Sequence, residues 1–180
     1  MIYIFLANGF EEVEALATVD VLRRADLKVK IVGVGSDVIT GAHGISTVCD
    51  AVDSDLTPGY DIEAVILPGG MPGTLNLERS DKVNGFVDYA YENKKLVCAI
   101  CAAPSILGHK GMLKGKKAVC FPGFENELEG AELSDSFVVT DGNIITAKGM
   151  GSAVKFGIAI GAAFVGEAKM KKIEESLQCS

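Results

Sequence analysis

Cys101, Glu14 and the pair Gly69-Gly70 are the residues whose types and settings suit chemistry. Together they could supply a sulfur nucleophile, a proton carrier and backbone N–H groups for a developing oxyanion. Cys101 closes the apolar run Leu96-Val97-Cys98-Ala99-Ile100, which reads as a buried strand of a parallel sheet. Ala102-Ala103-Pro104-Ser105-Ile106-Leu107 follows at once and reads as a helix, with Pro104 in its first turn, where a missing N–H costs nothing. A strand that becomes a helix without a loop must turn sharply, and the side chain at the apex is pushed out above the C-terminal edge of the sheet. The small neighbours such an elbow needs are Ala99 and Ala103. The helix start aims N–H groups and positive dipole at the sulfur, which favours thiolate. The plainer alternative is a structural cysteine at a strand end.

Glu14 lies one turn from Phe10, Ala17 and Thr18 and two turns from Val21. A carboxylate among apolar groups is costly unless it keeps its proton, so its pKa is expected to rise. Protonated, it could donate a hydrogen bond to the Cys101 sulfur. Pattern alone equally allows Glu11, Glu12 and Glu14 to be ordinary acids in a first helical turn. Gly69 and Gly70 end the apolar strand Ala64-Val65-Ile66-Leu67 at the same sheet edge, where backbone N–H groups can face a bound oxygen. Gly69-Gly70-Met71-Pro72-Gly73 lacks the lysine and spacing of a phosphate loop, and a plain turn is its other reading.

These residues need a scaffold, and the chain alternates strands and helices. Ile2–Leu6 is a strand, a helix runs from about Glu11 to Ala25, and Val29–Val34 is the second strand. Short pieces around Val38 and Ile45 suit a ribbon. Ser80 suits the N-cap of a helix reaching about Asn93. Phe137–Thr140 and Asn143–Thr146, joined through Asp141-Gly142, predict a hairpin with a type I′ turn. Two helices, Ser152 to Val165 and Glu167 to Leu177, close the chain. Alternating βα units with apolar strands predict an α/β fold, a mainly parallel sheet with helices on both faces. The first helix is apolar nearly all round (Val13, Ala15, Leu16, Ala17, Val19, Val21, Leu22), which suggests that its outer face is covered by a second subunit.

Composition bounds the function. The 180 residues make one domain, 1–180, in which 166–180 form a C-terminal helix and tail; 48 % hydrophobic content excludes disorder. A net charge of −7 without a basic cluster argues against nucleic acid and anionic membranes as partners. Ala153–Val165 is too short to span a bilayer, carries Lys155 and reads as a core helix in which Gly157 and Gly161 permit close approach. No signal peptide is visible before the first strand, so a cytoplasmic location is expected. Five cysteines in such a chain do not suggest a disulfide framework. Cys98 and Cys101 would lie about 10 Å apart along a strand, too far for a bridge that needs Cα atoms within about 7 Å. With no second C-x-x-C, zinc is not expected. Cys98 reads as core, Cys49 and Cys120 form no pattern, and Cys179 lies in the tail.

Five segments together resemble the ThiJ/PfpI superfamily, nearest its protein deglycase and YajL-like branch. They are Glu11-Glu12-Val13-Glu14, Val19-Asp20-Val21-Leu22-Arg23-Arg24-Ala25, Leu67-Pro68-Gly69-Gly70, Ala99-Ile100-Cys101-Ala102-Ala103-Pro104 and Lys148-Gly149-Met150-Gly151-Ser152. The resemblance implies a flavodoxin-like three-layer sandwich and a homodimer packed partly through the first helix, with Asp20 and Arg24 near its interface. It implies a reactive cysteine at Cys101, a protonated glutamate at Glu14, and anion-binding N–H groups at Gly70 and Ala102. Activities it implies are glyoxalase without cofactor, deglycation of early glyoxal or methylglyoxal adducts, and redox-regulated chaperoning.

Two departures narrow this. The peptidase branch has histidine directly after the nucleophile, where this chain has Ala102. The deglycase branch often has histidine near the pocket, where this chain has Phe121. His43 and His109 are the only histidines and neither adjoins a catalytic motif, His109 reading as a cap or surface group, so a Cys–His peptidase or amidase is the least favoured reading. The leading expectation is an enzyme acting on a small reactive aldehyde or glycated adduct. Cys101 would form a hemithioacetal, Glu14 would shuttle a proton, and neither metal nor cofactor would be needed. The alternative is a redox-sensing chaperone or signalling dimer whose Cys101 is oxidised to sulfinate.

Overall fold

A computed structural model describes residues 1–178; Cys179 and Ser180 lie outside the described residues. In chain order the elements are β1 (Ile2–Leu6), α1 (Glu12–Arg24), β2 (Val29–Gly33), β3 (Val38–Thr40), β4 (Ser46–Val48), β5 (Ala51–Val52) and β6 (Ala64–Leu67). Then come α2 (Gly73–Arg79), α3 (Asp81–Glu92), β7 (Leu96–Ile100), α4 (Pro104–His109), β8 (Lys117–Ala118) and β9 (Glu132–Leu133). β10 (Val138–Asp141), β11 (Ile144–Ala147), α5 (Ala153–Val165) and α6 (Glu167–Ser176) complete the chain. The main sheet has the order β10-β11-β7-β6-β1-β2-β5. Every neighbouring pair in it is parallel except β10–β11.

Strand alternation sorts the core into two layers, because successive side chains leave a strand on opposite faces. Ile2, Ile4, Ile66, Cys98, Ile100 and Ile145 meet α1 and α5 on one face. Tyr3, Phe5, Val65, Leu67, Val97 and Ala99 meet α3 and α4 on the other. This is the expected flavodoxin-like sandwich. The strands read as unbroken apolar runs because both faces are covered.

α6 adds a layer outside α1 and α5. Met170 is fully buried beside Val21 and Ala25. The two glycines of α5 make this possible: a Cβ on Gly157 would lie 3.0 Å from Val21 Cβ, and one on Gly161 would lie 2.6 Å from Met170 Cε. The apolar excess of α1 is therefore covered in large part by the chain's own C-terminal helices and is weaker support for a second subunit than the sequence suggested. Val13 remains 45 % exposed.

Other differences are local. The β10–β11 turn is Gly142-Asn143, one residue beyond the expected Asp141-Gly142, because Asp141 pairs with Ile144. Gly142 takes φ +61 and Asn143 is not in the left-handed region, which fits a type II′ rather than a type I′ turn. α2 follows Pro72 directly, where the sequence suggested only a turn. Cys49, Cys98, Cys101 and Cys120 all carry free thiols. Among the described residues no helix is long and apolar enough to cross a membrane.

Candidate active site

β1 leads through α1 to β2 on one side, while β6 and β7 lie on the other. The strand order thus reverses between β1 and β6, where open α/β sheets form a crevice at their C-terminal edge. Three segments enter it: the start of α1 after β1, Gly69-Gly70 after β6, and Cys101 after β7.

Cys101 holds φ +66, a left-handed conformation that costs a residue with a Cβ about 1–2 kcal/mol. Neighbouring hydrogen bonds hold the peptide there. Its N–H donates to Ala147 O at 2.9 Å, and its carbonyl accepts from Phe121 N–H at 2.8 Å. Ala103 N–H then closes the turn onto Ile100 O, and Pro104 opens α4. The elbow is thus present, with Ala99 and Ala103 fully buried around it. The N–H groups of Gly70 and Ala102 face the sulfur.

Glu14 is almost completely buried. Glu11 is the N-cap of α1, and its carboxylate accepts from Glu14 N–H at 2.6 Å. Glu11 N–H donates to Gly69 O at 2.9 Å, and Gly69 N–H donates to Glu14 Oε2 at 2.9 Å. Gly69 therefore straps the acid in place. Its N–H is taken by Glu14, so it grips the acid and is not free for an oxyanion as the sequence suggested. A Cβ on Gly69 would lie 2.6 Å from Cys101 Cβ and 2.7 Å from Glu14 Oε2, so the residue is the spacer between sulfur and carboxyl. Glu14 Oε1 is buried without a hydrogen bond of good geometry. The Cys101 sulfur is close enough to couple to the carboxyl by charge and a looser contact.

Burial pushes Glu14 up to about 7, against the opposing hydrogen bonds from Cys101 and Gly69. Burial, then the charge and hydrogen bond of Glu14, push the Cys101 thiol up to about 12, while the Ala102 and Gly70 N–H groups pull it down. The expected lowering by the helix start alone is thus outweighed by burial. Burial raises the thiol whatever the state of Glu14, and an ionised Glu14 raises it further. With the proton on Glu14 that repulsion disappears and its O–H can donate to the sulfur, so the two groups titrate as a coupled pair.

The raised acid has a consequence for stability. A carboxyl with a folded value above its unfolded one keeps a proton that the unfolded chain releases. Its contribution is complete below about 4.5 and is lost as pH rises through about 7. Wild type should therefore lose more stability than Glu14→Gln between these limits, by up to about 3 kcal/mol, in urea titrations on either side of the window. Parallel pH dependence of the two proteins would contradict the assignment.

Sequence reasoning missed Glu12 and His43. Glu12 is buried; Oε1 accepts from His43 N–H at 2.8 Å and Ile45 N–H at 3.3 Å, and Oε2 meets His43 Nδ1 at 2.9 Å. Burial alone would raise Glu12, but the hydrogen bonds from His43 and Ile45 outweigh it and hold the carboxyl below its ordinary value. Its bond and charge raise His43. His43 thus does adjoin the Glu11–Glu14 segment, contrary to expectation. Glu11, Glu12 and His43 bring ligand-type atoms within 4.8 Å, but Glu12 already engages both oxygens. His109 bridges Glu78 and Glu127 across α2, α4 and the following loop. Asp20 and Arg24 form an exposed ion pair one turn apart on α1, at 2.6 Å. Phe121, 47 % exposed, is tied to the nucleophile through its backbone N–H.

A model of the DJ-1/PfpI family matches residues 1–163. Protein dj-1beta of Drosophila melanogaster is 30 % identical over 177 residues, which cover 97 % of this chain and 94 % of that protein. Protein DJ-1 homolog B of Arabidopsis thaliana is 34 % identical over 96 % of this chain. The chain spans only 40 % and 45 % of the length of the two Arabidopsis homologues. Among solved structures, a DJ-1 superfamily protein of Salmonella typhimurium superposes with a TM-score of 0.91 at 33 % identity, covering 98 % of this chain and 97 % of that one. An oxidized Toxoplasma gondii DJ-1 gives 0.93 at 27 %, covering 98 % and 97 %. The chain belongs to the DJ-1/PfpI family.

Proposed function

We propose that this protein is a cysteine-dependent, cofactor-free enzyme that converts glyoxal, methylglyoxal or their early adducts to 2-hydroxy acids. The observation that carries the reading is the pairing of a backbone-strained Cys101 with a buried Glu14 raised to about 7, separated only by Gly69. An acid with that value can both give and take a proton near neutrality.

The steps balance with these groups alone. In the state with the proton on Glu14, the Cys101 sulfur adds to the aldehyde carbon and Glu14 protonates the resulting oxygen, giving a hemithioacetal. The Glu14 carboxylate then removes the hydrogen from that carbon and returns it to the neighbouring carbonyl carbon, with proton transfer between the two oxygens. A thioester of the 2-hydroxy acid results. Water cleaves it, releasing the 2-hydroxy acid and restoring the thiolate and the protonated Glu14 carboxyl. The net change is addition of one water to the oxoaldehyde. The Gly70 and Ala102 N–H groups, which face the sulfur, would steady the negative charge that develops on the oxygen beside it.

The test is lactate formation from methylglyoxal by purified protein without glutathione. Steady production, abolished by prior alkylation of Cys101, is the expected result. No lactate above the protein-free rate would sink the proposal.

One observation favours a second reading. The N–H groups that would hold an oxyanion would also hold a sulfinate, and a similar structure is that of an oxidized DJ-1. A redox sensor predicts two oxygens added at Cys101 by mild peroxide, seen by mass spectrometry, in protein without prior aldehyde turnover. Unmodified Cys101 under those conditions would dismiss it.

A further inference from the structure

We infer that the oxoaldehyde served by Cys101 carries a bulky apolar, aromatic-sized group, and that the cleft between Phe121, Phe137 and Met150 receives it. This rests on the aldehyde reading above and narrows its substrate class. The cleft has a volume of about 370 Å³ and is lined also by Pro122, Lys148 and Gly149.

The nucleophile's own peptide positions two of its walls. Cys101 O accepts from the Phe121 N–H on one side. Cys101 N–H donates to Ala147 O on the other, and Lys148 is the next residue. The bonds that set the sulfur therefore set the cleft beside it. The cleft walls are therefore one hydrogen bond, or one residue more, from the nucleophile's backbone, and we assign the cleft to the group carried by a carbonyl bound at the sulfur.

Three large apolar side chains stand exposed there together: Phe121 at 47 %, Phe137 at 60 % and Met150 at 53 %. Scattered exposed apolar residues need no explanation, but a clustered set beside a nucleophile marks a binding surface. The cleft is also braced. A Cβ on Gly149 would lie 3.1 Å from the Phe121 ring, so the ring rests on the backbone at Gly149. Lys155 Nζ sits over the Phe137 ring, 5.6 Å from its centre. Glyoxal has no substituent to fill such a space and methylglyoxal has only a methyl. A phenyl ring offers an apolar face to both aromatic walls.

Two measurements separate this inference from the one beneath it. The first compares kcat/KM for phenylglyoxal and methylglyoxal. The expected result is at least a tenfold preference for phenylglyoxal, reduced in Phe121→Ala and Phe137→Ala. The second needs no turnover: Cys101 is alkylated by 2-chloroacetophenone and by chloroacetone, each rate divided by that of glutathione. An aryl preference of at least tenfold, lost in Phe137→Ala, is expected at both nanomolar and micromolar protein. Equal normalised rates at both concentrations overturn the inference, whatever the aldehyde activity. A preference that appears only on dilution assigns the cleft to a second copy of this chain and also overturns it. An aryl preference in alkylation without turnover of either aldehyde supports the cleft and removes the enzymatic reading.

Discussion

Cys101→Ala and Cys101→Gly should both lose aldehyde turnover by at least about a thousandfold, because neither retains a nucleophile and the remaining groups only position and polarise. The two variants should differ in stability in an unusual direction. In ordinary extended or helical backbone alanine is more stable than glycine, since glycine gives up more conformational freedom on folding. At φ +66 the preference reverses, because the alanine Cβ meets the left-handed penalty and glycine does not. The glycine variant is expected to exceed the alanine variant by about 1 kcal/mol in urea unfolding. An alanine variant as stable as the glycine one would mean that the elbow relaxes when the sulfur is removed. Retained turnover in either would place the chemistry elsewhere.

Gly69→Ala is expected to disturb both fold and site. The new methyl would stand 2.6 Å from Cys101 Cβ, 2.7 Å from Glu14 Oε2 and 3.0 Å from Ile100 O, so it meets backbone and both side chains of the candidate site at once. Overpacking of this kind costs about 1–3 kcal/mol. Relief requires Glu14 to withdraw, which breaks its bond from the Gly69 N–H and separates acid from sulfur. Urea unfolding should show the loss, and turnover should fall at least about a hundredfold even where the variant is fully folded. A folded Gly69→Ala protein with near-normal turnover would show that the close approach of Glu14 and Cys101 is not needed.

The large elements were legible because their signals are local. β1, β6 and β7 are apolar runs between breakers, and Ser80 does cap α3, accepting from Val83 N–H. The elbow was legible from the absence of any loop between Ile100 and Pro104. β5, β8 and β9 were not, since two residues carry no periodicity. α2 was hidden by Pro72 and Gly73, which also suit a turn. Within the site, Glu14 and Cys101 were readable from apolar neighbours and the elbow. The division of labour among Glu11, Glu12 and Glu14 was not. Three acids in one helical turn look alike until the segment around Gly41–Ile45 folds over Glu12, where a Cβ on Gly41 would lie 2.3 Å from its carboxyl. Likewise, nothing in Gly69-Gly70 distinguishes the N–H that grips the acid from the one that faces the sulfur; only the start of α1 decides it.

The reversal of strand order between β1 and β6 has a further consequence for biogenesis. Acid, spacer and thiol come from separate stretches of chain that meet only after distant strands have paired. A growing or unravelled polypeptide therefore bears an ordinary cysteine, neither strained nor next to a carboxyl. Its distinctive labelling behaviour emerges with the completed sheet, so the rate at which a thiol reagent finds it serves as a clock for maturation of the molecule.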